Sequence, residues 1–194
     1  MVKRHFALAL ILTAPLLLQG CGGDGPTKPK PPSGPSYPAR STPKNAVLYM
    51  SIAYANRDSV RTDSVYADEY TGSSTDMTDP GSETLSFTKS DEVRHVGAMA
   101  LSSDITYVAM DLNPPTTWPQ IHYVSDPSDW VTIQIPYFKI EVREASDNGF
   151  TATSLSPYAT WVFEFTLKPT TPDPSSPTDT TWTIVRWAES RIGL

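Results

Sequence analysis

The hydrophobic period of this chain changes once, near Ser102-Ser103, and that change limits what it can fold into. Before it, apolar residues recur at helical spacing. Thr42-Pro43 reads as an N-cap followed by proline at the first helical position, where the missing N–H costs nothing. Val47, Leu48, Ile52, Tyr54 and Ala55 then fall on one broad apolar side of a helix over 44–57. Asn56-Arg57-Asp58 breaks it, and Asp58 or Ser59 caps a second, thinner helix running to about Ala67. Residues 71–86 are rich in Gly, Ser, Thr and Asp and read as a loop. Thr88 caps a third helix with Asp91 three residues on, and Val93, Val96, Gly97, Ala100 and Leu101 supply its stripe. Past Ser103 the pattern alternates. Ile105 to Leu112 reads as a strand, as do Val131-Ile133-Ile135 and, beyond Pro136, Phe138-Ile140-Val142. Pro136 predicts a bulge or an edge, and Asp147-Asn148-Gly149 a turn. Tyr158 to Lys168 and Thr181 to Ala188 close the chain as strands on either side of a proline-rich loop, 169–180. Helices first and strands afterwards predict an α+β fold: three N-terminal helices packed on a strongly curved antiparallel sheet.

The chain also has an N-terminal portion that cannot join this core. Lys3 and Arg4 precede a thirteen-residue apolar run, Phe6 to Leu18, too short to span a bilayer and suited to a signal peptide. It ends in Leu18-Gln19-Gly20-Cys21, which resembles a bacterial lipobox, the site where a thiol is joined to diacylglycerol and the chain is cut just before it. Gly22 rather than Asp follows the cysteine, which by that resemblance favours the outer membrane where the cell has one. From Gly22 to Lys44, seven of twenty-three residues are proline and four are glycine, with no apolar period. Such a segment stays extended, with a reach of roughly 70 Å. The expected organisation is therefore a signal peptide at 1–20, a lipidated Cys21 and tether at 21–44, and one α+β domain at 45–194.

Charge narrows the partners. Loss of Lys3 and Arg4 with the signal moves the net charge from −6 to −8, and the mature chain has no basic run, so nucleic acid is not an expected partner. With Cys21, the single cysteine, taken by lipid, the domain folds without disulfides.

Three stretches together resemble the nuclear transport factor 2-like superfamily, which includes ketosteroid isomerases and polyketide cyclases. They are Thr42 to Val47 leading to Tyr54-Ala55-Asn56-Arg57-Asp58, then Tyr66-Ala67-Asp68-Glu69-Tyr70, then Thr181 to Trp187. The long segment 111–129 and the insertion at 169–180 depart from that pattern. The resemblance implies a cone-shaped cavity between helices and bent sheet, filled in different members by substrate, ligand or side chains. It transfers no catalytic residue, because no position here matches the motif of the enzymes closely.

Among individual residues, Glu164 and Arg186 sit mid-strand between aromatics, on strands expected to be neighbours. Facing inward they would orient a polar ligand beside Trp161, Phe163 and Trp182; facing outward they form a routine cross-strand pair. His95 reads as a helix-surface residue and His122 as a loop residue, and neither implies a metal. Asp126-Pro127-Ser128-Asp129 reads as a turn. The serines lack a nucleophile elbow, no phosphate-cradling glycine loop is present, and no cofactor is expected. The five tryptophans read first as core. The expectation is a non-enzymatic, lipid-anchored envelope protein whose cone takes a small apolar or amphipathic ligand. The alternatives are an isomerase, dehydratase or cyclase with an acid–base pair in the cone, and an interaction module that uses its exposed sheet face for dimerisation or partner binding. A carboxyl with an elevated pKa beside a tyrosine or histidine in an open pocket favours the enzyme.

Overall fold

The computed structural model describes residues 34–77, 81, 83–113, 117–145, 150–155, 161–170 and 180–191, with backbone alone for 150–155 and Trp161. The signal, Cys21, most of the tether, the Asp147-Asn148-Gly149 turn and residues 171–179 lie outside the described residues.

The architecture is α+β, with three helices packed on a large curved sheet. Helix α1 (Pro43–Ala55) starts where Thr42 Oγ1 accepts the backbone N–H of Asn45 at 3.1 Å, with Pro43 in its first turn. It buries Val47, Met50, Ala53 and Tyr54 against the strands. The chain leaves α1 through Arg57, whose φ of 55° is left-handed. That conformation suits glycine better. The Arg57 guanidinium compensates by donating to the carbonyls of Ile105 at 3.0 Å and Met99 at 3.4 Å. Helix α2 (Ser59–Val65) is capped by Asp58, which accepts from the Arg61 N–H at 3.0 Å.

Two strands intervene before the third helix, where the sequence reads as a loop: β1 (Tyr66–Asp76) and β2 (Leu85–Thr88). The second half of β1, Thr71 to Asp76, has no apolar alternation to announce it. Pairing on both sides makes it a strand, antiparallel to β2 and parallel to the last strand. Helix α3 (Lys89–Leu101) opens with a capping box between Thr88 and Asp91. Its buried residues are Val96 and Met99, whereas Ala100 and Leu101 of the expected stripe are exposed. The helix is thus rotated from the sequence reading, and Glu92, one turn before Val96, shares the inward side.

The remaining strands are β3 (Ile105–Asp111), β4 (Gln120–Ile121), β5 (Val131–Ile135), β6 (Tyr137–Glu144), β7 (Phe150–Leu155), β8 (Trp161–Thr170) and β9 (Thr181–Arg191). They form a six-stranded sheet ordered β2-β1-β9-β8-β5-β4 and a three-stranded sheet ordered β3-β6-β7. Pairing is antiparallel except between β1 and β9, so the larger sheet is mixed. Pro136, expected at a bulge or edge, separates β5 from β6 and so marks the crossing from one sheet to the other. The core lies between α1 and the sheets, where Phe138 and Phe163 stack at 3.8 Å and Phe165 adjoins both Phe138 and Trp187. Part of the proline-rich segment packs on the domain too. Tyr37 lies 4.9 Å from Tyr49 and donates to Asp58 at 3.0 Å, and the Arg40 carbonyl accepts from the Trp182 N–H at 2.8 Å.

Candidate functional site

Strand register fixes which residues face inward. Across β8 and β9, Phe163 lies opposite Glu189 and Phe165 opposite Trp187, whereas Glu164 lies opposite Ala188 and Thr166 opposite Arg186. Directly opposed residues share a face, and neighbours in sequence take opposite faces. Glu164 and Arg186 therefore lie on the sheet face away from Phe163, Phe165 and Trp187. Each is answered there by the loop that follows β4. The Tyr123 hydroxyl donates to Glu164 at 2.8 Å, and Arg186 clasps both oxygens of Asp126 at 2.6 and 3.3 Å. Phe163 is in the core at 1 % exposure, and Trp182 packs on the core's edge. Only the backbone of Trp161 is described, opposite Arg191. His122 binds the Trp130 carbonyl through Nδ1 at 3.0 Å, and the segment from Tyr123 to Trp130 folds through two backbone turns.

A different set of residues encloses space. A cavity of about 840 Å³ lies between α3 and the sheet, lined by Tyr54 of α1, Tyr70 and Gly72 of β1, Phe87 of β2, Glu92 and His95 of α3, Ile140 of β6, and Trp187 and Glu189 of β9. Its walls are mostly apolar, and its volume falls in the range of small-molecule pockets.

Glu92 is the central polar group. The hydroxyl of Tyr70, itself 3 % exposed, donates to its Oε1 at 3.2 Å. Burial disfavours the charged carboxylate and pushes its pKa up to about 7; the Tyr70 hydrogen bond pulls the other way, and Glu189 and Asp91 add like-charge repulsion. Glu189 is raised as well, chiefly by burial. On the α1 side the Tyr54 hydroxyl meets His95 Nε2 at 3.4 Å. Partial burial lowers the His95 imidazole from its usual range, which favours its neutral form. The Tyr54, Tyr66 and Tyr70 phenols are all pushed up, burial first, and stay protonated as donors.

Gly72 keeps this arrangement open. A Cβ there would come within 2.7 Å of the Tyr70 hydroxyl and 3.2 Å of Glu92 Oε1. Trp187, on the adjacent strand, has a buried indole N–H with no protein acceptor among the described residues. The site thus gathers a carboxyl that burial raises to about 7, the Tyr54 and Tyr70 hydroxyls, an imidazole and an unsatisfied N–H around one cavity.

Sequence reasoning placed Tyr54 on an apolar helix side and His95 on the helix surface, where it is exposed as well as lining the cavity, and passed over Glu92 and Glu189. The signal for Glu92 was available: with Val96 and Met99 it makes an i, i+4, i+7 series, so an acid belongs to the inward stripe.

No family model matches the sequence, and no curated protein matches it. Solved structures do resemble it. A ketosteroid isomerase-like protein from Erwinia carotovora is 15 % identical with a TM-score of 0.40, over 78 % of this chain and 94 % of that one. An NTF2-like protein of unknown function in nutrient uptake from Rhodospirillum rubrum is 14 % identical with a TM-score of 0.47, over 76 % and 96 %. A nuclear transport factor 2 (NTF2-like) superfamily protein from Salmonella enterica is 10 % identical with a TM-score of 0.46, over 77 % and 87 %.

Proposed function

We propose that this chain is a lipid-anchored cell-envelope protein whose domain binds a small amphipathic molecule and moves a proton on it, with Glu92 as the general base. The carrying observation is a carboxyl held near pKa 7 by burial, beside a tyrosine, in an open cavity of about 840 Å³. At neutral pH such a group is present in both forms, which suits it to take a proton and return it. This favours the acid–base alternative over a passive ligand carrier.

The roles follow from placement. Glu92 abstracts a proton from carbon next to a carbonyl. Tyr70 holds the accepting oxygen in place. The Tyr54–His95 pair and the Trp187 N–H donate to the carbonyl oxygen as negative charge grows on it. The aromatic and aliphatic walls bind the substrate's apolar body and keep water away from the carboxyl.

The anchor rests on the lipobox-like Leu18-Gln19-Gly20-Cys21 and the proline-rich tether behind it. Two or more acyl chains on Cys21 would hold the domain stably to a membrane, about 0.8 kcal/mol per buried methylene.

The proton-transfer reading is tested by incubating the protein in heavy water with a panel of enolisable bicyclic and steroid-sized ketones and following deuterium incorporation by NMR. Exchange well above the buffer rate, lost in Glu92→Gln, is the expected result. No exchange with any ketone, or equal exchange by the variant, would overturn it.

A further inference from the structure

The cavity has a charge pattern that its aromatic walls do not explain. Glu92 and Glu189 line it from opposite elements, α3 and β9. The cationic side chain in its lining, Arg94, is held by Asp91 at 2.6 Å, and neither glutamate has an ion-pair partner among the described residues. Beside these acids stand Tyr54, Tyr70, Phe87 and Trp187. Burying carboxyls without a cation is costly, and chains normally place a Lys or Arg beside them. Aromatic faces attract positive charge by their quadrupole, Trp and Tyr most strongly.

We propose that the cavity selects an organic cation, a protonated amine or quaternary ammonium carrying an apolar body, with its charge between Glu92, Glu189 and the rings of Tyr54, Tyr70 and Trp187. This deepens the proton-transfer reading and rests on it for the location of the site. An anion here would meet two acids, and a neutral ligand brings no opposite charge to offset them. A cation lets them ionise while neutralised. Glu189 is then a specificity-determining residue, present to accept charge and not to react.

The pH dependence follows from every group around the acids. Tyr54 on α1 and Tyr66 and Tyr70 on β1 stay neutral because burial raises them. Asp91 on α3 is held ionised by the Thr88 cap and offset by Arg94, and desolvation lowers His95 toward its neutral form. The titrating partner of a bound cation near neutrality is therefore Glu92, with Glu189 beside it raised from its usual range by burial. Affinity for a fixed cation should rise from pH 6 to pH 8, and binding at pH 6.5 should release protons.

Three ligands of one shape test this by calorimetry on the purified protein: (2-naphthylmethyl)trimethylammonium, 2-naphthylmethanol and 2-naphthoate. The ammonium should bind about tenfold or more tighter than the alcohol, the gain expected when a cation enters a desolvated aromatic site. Naphthoate should bind weakest. Buffers of differing ionisation heat should reveal proton release with the ammonium alone. Glu189→Gln should lose most of the ammonium preference and keep alcohol affinity, with a melting curve confirming that it folds. Equal affinity for alcohol and ammonium, naphthoate as the best ligand, an unaffected Glu189→Gln, or no ammonium binding at millimolar concentration would each overturn the proposal. Ketone exchange that persists without ammonium binding removes this inference alone, and ammonium binding without ketone exchange removes the proton-transfer reading alone.

Discussion

Glu92 is subject to opposed influences whose signs are separable. The Tyr70 hydroxyl stabilises its charged form, and Glu189 destabilises it. Replacing Tyr70 by Phe should therefore raise the Glu92 pKa above about 7, and Glu189→Gln should lower it. Carbon-13 NMR of glutamate carboxyls, with Glu92→Gln to assign the resonance, reads both shifts, and movement in the same direction would sink this account of the site. The same carboxyl makes stability depend on pH. Its pKa is about 4.5 in an unfolded chain and about 7 when folded, so the folded state binds more protons between those values. Its contribution is fully present below pH 4.5 and is lost as pH rises through 7, by up to about 3 kcal/mol at 1.36 kcal/mol per pKa unit. Glu92→Gln should flatten that part of the stability curve and be the more stable protein at pH 8. Denaturant unfolding at a series of pH values decides it, and an unchanged slope between pH 5 and pH 8 would rule it out.

At the scale of elements, the site depends on how closely α3 approaches β1. Gly72 sets that approach through space alone, since its backbone is not left-handed. In Gly72→Ala the new methyl meets the Tyr70 hydroxyl, which can retreat only by swinging a buried ring. The variant should lose about 1–3 kcal/mol, as overpacked sites do, and break the Tyr70–Glu92 hydrogen bond, so its Glu92 pKa should rise as in Tyr70→Phe. A Gly72→Ala protein with unaltered stability and carboxyl titration would show that α3 has room to spare. Local chemistry made several elements legible in the sequence. Thr42-Pro43, Asp58 and the Thr88–Asp91 box mark helix starts because caps act within one turn. Strand β1 beyond Tyr70 was not legible, because its Ser, Thr and Gly become a strand only between β2 and β9, one of them more than a hundred residues away. The faces of Glu164 and Arg186 were hidden for the same reason. Alternation shows that two faces exist, and the partner strands decide which is inside.

At the scale of the whole molecule, the α+β class was readable because the change of period after α3 holds over many residues, whereas the cavity was not, since its lining is drawn from six separate elements. One consequence concerns how the domain is held in the cell. Under the proposed removal of residues 1–20 the net charge would be −8, which gives an anionic membrane surface little to attract, so the proposed anchoring would rest on the lipid. If acyl chains on Cys21 are the whole of the attachment, Cys21→Ser should move the protein from the membrane pellet to the soluble fraction while leaving its melting temperature unchanged, because position 21 precedes the α+β domain in sequence. The measurement is ultracentrifugal fractionation of cells expressing each form, with intact mass of the wild-type protein to weigh the lipid. A Cys21→Ser protein that still sediments with membranes would place the attachment somewhere other than this sulfur.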